Sequence, residues 1–374
     1  MKIWLYYAKS GGGHKAPAEA LAKDLKKLYP ETETKLVDLA EKASVFFRAS
    51  IENGYTLLSH HLEWLYAFIF QINNFGAVIK IENLLADFFV KPAIKAQLVV
   101  DAPDVVVSTH FLVSPVLCAL KELKKNIPVF VLVTDPHSAS PVWFNQKNVN
   151  YIVYSEEIKK IAVKRGVAEE RVAVFNQIAN HSTPVLNSEQ KNSIKKELDI
   201  DVGKKFILMI GGAEGFPNGE KIYEALLKSK PDAEVVAILG NNKKQENNFS
   251  ELSKKYSFGK VLGWVEEPMA ILGTADLLIT KAGAGVVWES LLLKKPLLIA
   301  HYIYGQERGN MEYVVANSFG WYQKNPEKIA KKVKEVIKDQ EIEDAVKKIE
   351  SFKFVPGNND VANYIYRIAT ERGS

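Results

Sequence analysis

The stretch Ile279–Asn317, ITKAGAGVVWESLLLKKPLLIAHYIYGQERGNMEYVVAN, decides the fold. An apolar strand over residues 275–280 leads into it, and a glycine-containing turn follows at residues 281–285. The pattern then predicts a helix over Val286–Leu293 and a second buried strand over Leu297–Ala300. A strand, a turn, a helix and a strand in this order form a parallel βαβ unit, the repeating piece of an α/β domain.

The turn in this unit predicts an anion-binding site. Gly283 and Gly285 let the backbone approach a ligand closely, and the helix that follows presents the positive end of its dipole to the same place. Glu289, one turn into the helix, could accept hydrogen bonds from sugar hydroxyls, and the loop Tyr304–Asn310 adds further polar groups. A phosphate next to a polyol indicates a nucleotide sugar. Any parallel βαβ unit needs a glycine turn and a polar loop, however, so these residues alone leave a purely structural role open.

This part of the chain resembles a known group of enzymes. The matching pieces are Thr280–Gly285 (TKAGAG), Glu289, Gly305–Asn310 (GQERGN) and Tyr313–Val315. They resemble the donor-binding half of the family 28 glycosyltransferases that make monogalactosyl- and glucosyl-diacylglycerol, which are relatives of the peptidoglycan N-acetylglucosaminyltransferase. The resemblance covers most of the C-terminal half and, in the N-terminal half, mainly the first loop. It implies the GT-B fold, two Rossmann-like α/β domains facing a central cleft.

Composition limits the partners that can be expected. Hydrophobic residues make up 47% of the chain and charged residues 25%, and the net charge of +5 is not concentrated in one half. We therefore expect no nucleic-acid partner, whereas a mildly basic protein is compatible with an anionic membrane surface. The single Cys118 excludes an internal disulfide and fits a reducing compartment. Because we find neither a signal peptide nor a long apolar segment, we expect no transmembrane segment and a cytoplasmic enzyme bound peripherally to the inner face of the membrane.

The hydrophobic pattern predicts two domains. Runs of Val and Ile alternate with helical segments, stop at a polar stretch over residues 180–192, and then start again. We predict an acceptor-binding domain over residues 1–185 and a donor-binding domain over residues 186–359. By the resemblance, a last helix at about residues 360–372 packs back onto the first domain.

The first glycine loop contains a candidate general base. Three glycines and then His14 follow the first strand, and the helix begins directly afterwards. A helix N-terminus disfavours a protonated imidazole, and a neutral imidazole is what a general base requires. The same loop also satisfies a dinucleotide-binding pattern, Gly11-x-Gly13-x-x-Ala16 with Asp38 after the next strand, so an NAD-dependent oxidoreductase stays open.

The resemblance implies a role for each residue of this first site. Gly12 and Gly13 form an acceptor or phosphate loop, and His14 removes the proton from an acceptor hydroxyl as that oxygen attacks C1 of the sugar. Lys9 stands where the galactolipid enzymes have an acidic residue, so we name Asp135 as the carboxylate that orients His14, although a helix or turn cap is its ordinary alternative. Trp143 and Phe144 either line the acceptor or sugar site or pack in the core.

The resemblance also implies a set of donor-binding residues. The residues near the diphosphate are Gly211, Gly212, Lys281, Gly283, Ala284 and Gly285. Val265 lies in the segment whose backbone holds the uracil ring. Glu289 holds the ribose, and the sugar is contacted by Gln306, Glu307 and Asn310.

A long amphipathic region over residues 45–90 is rich in aromatic and bulky aliphatic side chains. Charged and polar residues interrupt it, which excludes a membrane span but permits binding at a membrane interface. In the resembled enzymes this region approaches the membrane and the diacylglycerol. Ordinary helix packing is the alternative, and the sequence does not sort the lipid-facing residues from the core.

Together these features predict an inverting glycosyltransferase that moves a hexose from a UDP-sugar to a lipid hydroxyl, with diacylglycerol as the expected acceptor. No acidic pair has metal-binding spacing, so we expect no metal and no cofactor beyond the UDP-sugar co-substrate. Two further hypotheses stay open. One is a soluble GT-B enzyme, either a UDP-sugar epimerase or a transferase with a non-lipid acceptor, and the other is the oxidoreductase. The sugar itself, galactose, glucose or N-acetylglucosamine, is not determined.

Overall fold

A computed structural model describes residues 1–8, 12–39, 41, 76–180, 183–211, 215–338 and 340–371. The chain divides into two units. The first unit comprises Met1–Asn180, Tyr304–Gln306 and Pro356–Ser374, and the second comprises His181–Ile303 and Glu307–Val355. Residues 45–75 of the predicted amphipathic region lie outside the described residues, as does Gly212.

Within the described residues, the first unit contains a six-stranded, fully parallel sheet in the order β2-β1-β3-β4-β5-β6. Its strands are β1 (Lys2–Tyr7), β2 (Glu33–Asp38), β3 (Val105–Ser108), β4 (Val129–Leu132), β5 (Asn150–Val153) and β6 (Val172–Val174). β1 is central: Leu5 pairs with Leu36 on one side and with Val107 on the other. Its apolar residues therefore face neighbouring layers on both sides of the sheet.

Helices cover both faces of this sheet. They are α1 (Gly12–Leu28), α2 (Gly76–Phe89), α3 (Lys91–Asp101), α4 (Ser114–Glu122) and α5 (Glu156–Lys164), with short 3-10 helices at Pro141–Phe144 and Glu169–Arg171. Side chains of β1 alternate between two cores, as the period of a strand requires. Trp4 and Tyr6 belong to one core cluster, while Ile3 and Leu5 belong to the other.

The second unit repeats the architecture with a different strand order. In the described part of the chain its sheet has six parallel strands in the order β12-β11-β10-β7-β8-β9. The strands are β7 (Lys205–Ile210), β8 (Ala233–Ile238), β9 (Lys260–Leu262), β10 (Leu277–Lys281), β11 (Leu297–His301) and β12 (Gly320–Tyr322). The helices are α6 (Ser188–Glu197), α7 (Gly219–Ser229), α8 (Lys243–Tyr256), α9 (Pro268–Thr274), α10 (Ala284–Leu292), α11 (Arg308–Ala316), α12 (Pro326–Lys338) and α13 (Glu341–Ser351). The predicted α/β class with two Rossmann-like domains is confirmed.

The C-terminal helix α14 (Asn358–Glu371) packs on α1 of the first unit. The rings of Tyr29 and Tyr366 stack with centroids 3.6 Å apart, and Asn358 Nδ2 donates a hydrogen bond of 2.6 Å to Asp24. Asn358 also pairs with both the N–H and the carbonyl of Ala179. This is the helix that the sequence predicted at about residues 360–372.

Strand order gives each sheet one place where a ligand is expected. In a doubly wound sheet the crevice lies at the carboxyl ends of two neighbouring strands whose connections run in opposite directions. In the first unit those strands are β1 and β3, and in the second they are β7 and β10. The loops that follow these four strands contain His14, Thr109, Gly211 and Gly283. Each crevice is therefore lined by segments that carry predicted site residues or their neighbours.

Candidate functional site

His14 lies in the first turn of α1, directly after Gly12 and Gly13, and is 6% exposed. Its Nδ1 atom is 2.7 Å from the backbone carbonyl oxygen of Thr109, which follows β3. The Thr109 hydroxyl in turn donates a 2.7 Å hydrogen bond to the His14 carbonyl. Thr109 therefore holds both the ring and the backbone of His14.

These contacts fix the tautomer of the imidazole. A carbonyl oxygen only accepts hydrogen bonds, so the proton of a neutral ring lies on Nδ1. The Thr134 hydroxyl oxygen is 3.1 Å from the same Nδ1 atom and accepts as well. Nε2 consequently keeps its lone pair, which is the arrangement that a general base needs.

Burial keeps His14 neutral. Loss of solvation lowers the pKa of His14 to about 4, against a smaller opposing effect of the hydrogen bond to Thr109. The ring of His110 stands edge-on to that of His14 at 4.7 Å, and burial lowers the pKa of His110 as well. His110 Nδ1 accepts a hydrogen bond from Leu112 N–H, so its own proton lies on Nε2. Two neutral imidazoles thus meet at the β1–β3 crevice.

Asp135 occupies a different place from the one the sequence predicted. Its Oδ2 accepts a 2.7 Å hydrogen bond from Trp143 Nε1, and its Oδ1 accepts one of 3.3 Å from Gln306 Nε2. The Trp143 ring lies between the two predicted catalytic residues, with its centroid 5.9 Å from that of His14. The groups on Nδ1 of His14 are the Thr109 carbonyl and the Thr134 hydroxyl, where the prediction named Asp135.

Trp143 and Phe144 are both buried, in the short 3-10 helix that Ser140 caps. Phe144 packs on Tyr151 of β5, with ring centroids 5.2 Å apart. Trp143 packs edge-on against Phe111 in addition to its contact with Asp135. Of the predicted pair, Phe144 belongs to the sheet core, and Trp143 lies beside the imidazole.

In the second unit, the anion site was predicted at the turn between β10 and α10. Gly283 is the N-cap residue of α10, and among the described residues no side chain caps this helix terminus. Ala284 and Gly285 form its first turn, at the positive end of the helix dipole. The Lys281 ammonium lies beside this turn: a Cβ added to Gly283 would be 3.7 Å from Lys281 Nζ. Positive charge and a helix N-terminus therefore meet at one point.

Glu307 and Asn310 hold this turn from the other side. Glu307 Oε1 accepts from Lys281 Nζ at 2.6 Å, and its Oε2 accepts from Ile303 N at 2.9 Å. Asn310 Nδ2 donates to the Ala282 carbonyl at 2.9 Å. The Asn310 Oδ1 atom is buried and has no hydrogen-bond partner among the described residues, so it is an acceptor available to a ligand donor. Gln306 is grouped with the first unit, beside Asp135.

Glu289 lies in the second turn of α10 and is buried. Gly211, just after β7, is closely packed: a Cβ on it would lie 2.2 Å from the Gly215 carbonyl oxygen. Gly215 has a φ of +90°, a backbone angle that residues other than glycine rarely adopt. Val265 is half-buried against the core of the second unit, and the preceding Trp264 is exposed.

Two further properties of the described residues concern metal binding and membrane crossing. Among the described residues no group of three or more His, Cys, Asp or Glu side chains could hold a metal ion. No helix in the described ranges is long and apolar enough to cross a membrane.

Two family models match most of the chain. The model described as monogalactosyldiacylglycerol (MGDG) synthase matches residues 14–176, beginning at His14 itself. The model described as the C-terminal domain of glycosyltransferase family 28 matches residues 206–357, the second sheet and its glycine turns. The chain therefore carries an MGDG synthase domain followed by a family 28 glycosyltransferase C-terminal domain. This confirms the resemblance that the glycine turns indicated.

Individual members of the MGDG synthase family are similar along nearly the whole chain. The chloroplastic monogalactosyldiacylglycerol synthase of Spinacia oleracea is 28% identical over 348 residues, which are 89% of this chain and 65% of that protein. Monogalactosyldiacylglycerol synthase 2 of Arabidopsis thaliana is 29% identical, with 89% of this chain and 73% of the relative covered. The chain thus spans about two thirds of the length of the spinach relative.

A solved glycosyltransferase from Rickettsia africae superposes with a TM-score of 0.60 at 15% identity, covering 99% of this chain and 98% of that one. At this identity the similarity concerns the fold. The predicted GT-B fold is confirmed by it and by the two doubly wound sheets.

Thr109 and Thr134, which hold His14, were not predicted. Thr109 follows β3 and Thr134 follows β4, so both lie at the carboxyl ends of apolar strands. The sequence does not show which strands are adjacent in the sheet. In the structure β3 lies beside β1, and this pairing brings the Thr109 carbonyl to the His14 ring.

Proposed function

We propose that the chain is an inverting glycosyltransferase that moves a hexose from a UDP-sugar to a hydroxyl of a lipid, with diacylglycerol as the acceptor. The observation that carries this proposal is the neutral His14 with its proton on Nδ1 and its lone pair on Nε2. The names of the relatives, which are monogalactosyldiacylglycerol synthases, supply the substrate class.

The proposed reaction uses His14 as the general base. Nε2 accepts the proton of the acceptor hydroxyl as that oxygen forms a bond to C1 of the sugar. The bond between C1 and the diphosphate oxygen breaks on the opposite face, and UDP leaves with the bonding electrons. One displacement inverts the configuration at C1. Asp135 holds Trp143 against the imidazole and so shapes the acceptor side, with Gly12 and Gly13 leaving room for the lipid hydroxyl.

The proposed donor site uses the second unit. The N-terminus of α10, at Gly283–Gly285, and the Lys281 ammonium face the diphosphate and offset the charge that develops on UDP. Buried Glu289 accepts hydrogen bonds from the ribose, and the Asn310 Oδ1 atom accepts one from a sugar hydroxyl. The remaining proposed contacts are Gly211 and Gly212 at the diphosphate, Val265 at the uracil, and Gln306 and Glu307 at the sugar. No metal cofactor is part of this proposal.

A membrane surface is the proposed source of the lipid. The helix α2 exposes Ile81, Leu84, Leu85 and Phe88, which follow one another at the spacing of a single helix face. Leu84 is 68% and Phe88 74% exposed. Lys80 precedes this face and is also exposed, and the net charge of +5 favours an anionic surface. We place the enzyme on the inner, cytoplasmic face of a membrane, bound peripherally.

The test measures UDP release from UDP-galactose, UDP-glucose and UDP-N-acetylglucosamine, with and without liposomes that contain diacylglycerol. We expect release that requires one of these donors and the lipid, and that is lost in His14→Ala while UDP affinity is kept. Release that ignores the lipid would point instead to an epimerase or to a transferase with a non-lipid acceptor. If no UDP-sugar binds and NAD(H) does, the oxidoreductase hypothesis replaces the proposal.

A further inference from the structure

The Thr134 hydroxyl is a second contact to the Nδ1 side of His14. Thr134 lies just after β4 and is buried, and its Oγ1 is 3.1 Å from His14 Nδ1. The first contact is the Thr109 carbonyl at 2.7 Å. If Nδ1 carried a lone pair, it would face the carbonyl lone pairs at 2.7 Å, which is repulsive, so Nδ1 carries the proton and Thr134 accepts.

Neither of these acceptors is ionised. In a serine-protease triad a buried carboxylate holds the corresponding nitrogen, fixes the tautomer and stabilises the imidazolium. The carboxylate nearest in sequence to Thr134 is Asp135, and its Oδ2 accepts from Trp143 Nε1. A hydroxyl and a carbonyl can fix the tautomer as a carboxylate does, because the tautomer depends on where an acceptor lies and not on its charge.

We propose that Thr134 is a positioning residue that holds His14, together with the Thr109 carbonyl, in the tautomer with Nδ1 protonated and Nε2 basic. The consequence for catalysis rests on the proposed function, whereas the tautomer itself does not. Neutral imidazole in water prefers the opposite tautomer, with the proton on Nε2, in which the base would have its lone pair turned toward the carbonyl. The Thr109 carbonyl favours the productive tautomer by itself, and the Thr134 acceptor adds to that preference. Without Thr134 the preference is weaker, so the unproductive form becomes more populated.

The variants are chosen to separate this role from general packing. Thr134→Val keeps the shape of the side chain and removes the acceptor, and Thr134→Ser restores the hydroxyl. Thr32→Val is the matched control, because Thr32 is also buried and its hydroxyl has no hydrogen-bond partner among the described residues. Thr32 lies in the turn before β2 and takes no part in the proposed site.

The experiment is nitrogen-15 NMR of histidine-labelled protein, assigned with His14→Gln, combined with steady-state kinetics of UDP release. We expect the wild type to show protonated Nδ1 and bare Nε2, and Thr134→Val to shift His14 toward protonated Nε2. We also expect kcat to fall by about tenfold, the scale of one hydrogen bond, with KM for both substrates unchanged. Thr134→Ser and Thr32→Val should match the wild type in both measurements.

Protonated Nε2 in the wild type would overturn the inference, and so would an unchanged tautomer in Thr134→Val. The NMR measurement needs no substrate. If no UDP-sugar is consumed but the tautomer shifts as expected, the proposed function fails while the positioning role of Thr134 stands.

Discussion

Lys281 Nζ lies 2.6 Å from Glu307 Oε1, and this ion pair joins the end of β10 to the start of α11. The second oxygen of Glu307 accepts a hydrogen bond from the Ile303 N–H, so each carboxylate oxygen has a partner. Glu307 is buried and Lys281 is mostly so. We infer that Glu307 fixes the position of the ammonium beside Gly283, in addition to its proposed contact with the sugar.

Removing the buried partner of this pair should therefore destabilise the protein. Glu307→Ala leaves the Lys281 ammonium and the Ile303 N–H without their acceptor. A broken buried ion pair costs about 3 kcal/mol. We expect a loss of about this size in the free energy of unfolding, measured by urea titration, together with weaker UDP binding measured by calorimetry.

Glu312→Ala is the matched control for Glu307→Ala. Glu312 lies in the same helix and pairs with Arg308 at 2.7 Å, but both side chains are more than half exposed. A surface pair of this kind contributes well under about 1 kcal/mol. Equal losses in the two variants would contradict a special role for the Lys281–Glu307 pair.

The two glycine loops should respond in opposite ways to a methyl group. A Cβ at Gly211 would collide with the Gly215 backbone, whereas a Cβ at Gly13 has no described atom within 4 Å. We expect Gly211→Ala to lower the free energy of unfolding by about 2 kcal/mol, the cost of overpacking. Gly13→Ala, in the first turn of α1, should leave the melting temperature unchanged but reduce turnover, because its methyl group occupies the proposed acceptor space. A destabilised Gly13→Ala variant would contradict this assignment.

The strands beside the glycine turns could be predicted because their sequences are continuous apolar runs. The edge strands β6 and β12 were not predicted: each has only three residues, β6 is a short Val-Ala-Val run and β12 begins with a glycine. The helix after Gly283 begins at Ala284 and not at the predicted Val286, because the turn glycine is itself the N-cap residue.

Some features of the candidate site could likewise be predicted from the sequence, and others could not. His14 and Gly283 lie where a strand leads into the next helix, so the sequence alone could place them at the carboxyl end of a sheet. The partner of His14 depends on which strand lies beside β1, which is a property of the sheet order. The resemblance led to Asp135, in a Thr-Asp pair at a strand end, whereas the structure places the Thr109 carbonyl on Nδ1 of His14.

The pH dependence of turnover should reveal the buried base. Protonated His14 cannot accept a proton, and burial lowers its pKa to about 4. We expect kcat/KM for the acceptor, which reports the free enzyme, to stay level from pH 7.5 down to about pH 5. A free imidazole would instead lose half its activity near pH 6.5. A decline centred near that value would show that His14 is exposed to solvent or is not the base.

Stability should fall as the pH is lowered through the same range. The pKa values of His14 and His137 are both lowered by burial to about 4, from 6.5 in the unfolded chain. Between these values the unfolded state binds more protons, so this contribution to stability is complete above pH 6.5 and is lost as the pH falls toward 4. Each histidine contributes a slope of about 1.4 kcal/mol per pH unit within that window. We expect His14→Gln to show a shallower slope in urea titrations between pH 6.5 and 5. An unchanged slope would contradict the burial of His14 in solution.

The exposed face of α2 should determine binding to vesicles. Leu84→Ser with Phe88→Ser removes two large apolar side chains that make few contacts within the protein, so the melting temperature should not change. Burial of such side chains is worth about 1.5–3 kcal/mol each, and partial insertion of both should account for at least about a tenfold loss of vesicle partitioning. The control is Val185→Ser, because Val185 is 97% exposed and belongs to the second unit, not to α2.

The measurement is co-sedimentation with vesicles of phosphatidylcholine that contain diacylglycerol, with and without phosphatidylglycerol. Binding that increases with the anionic lipid and falls at high salt would support the charged surface proposed above. Turnover with a dispersed short-chain diacylglycerol should be the same in the double variant and the wild type, because this acceptor reaches the enzyme without binding of α2 to a membrane. If the double variant partitions like the wild type, the α2 face does not bind the membrane, and the lipid must reach His14 by another part of the surface.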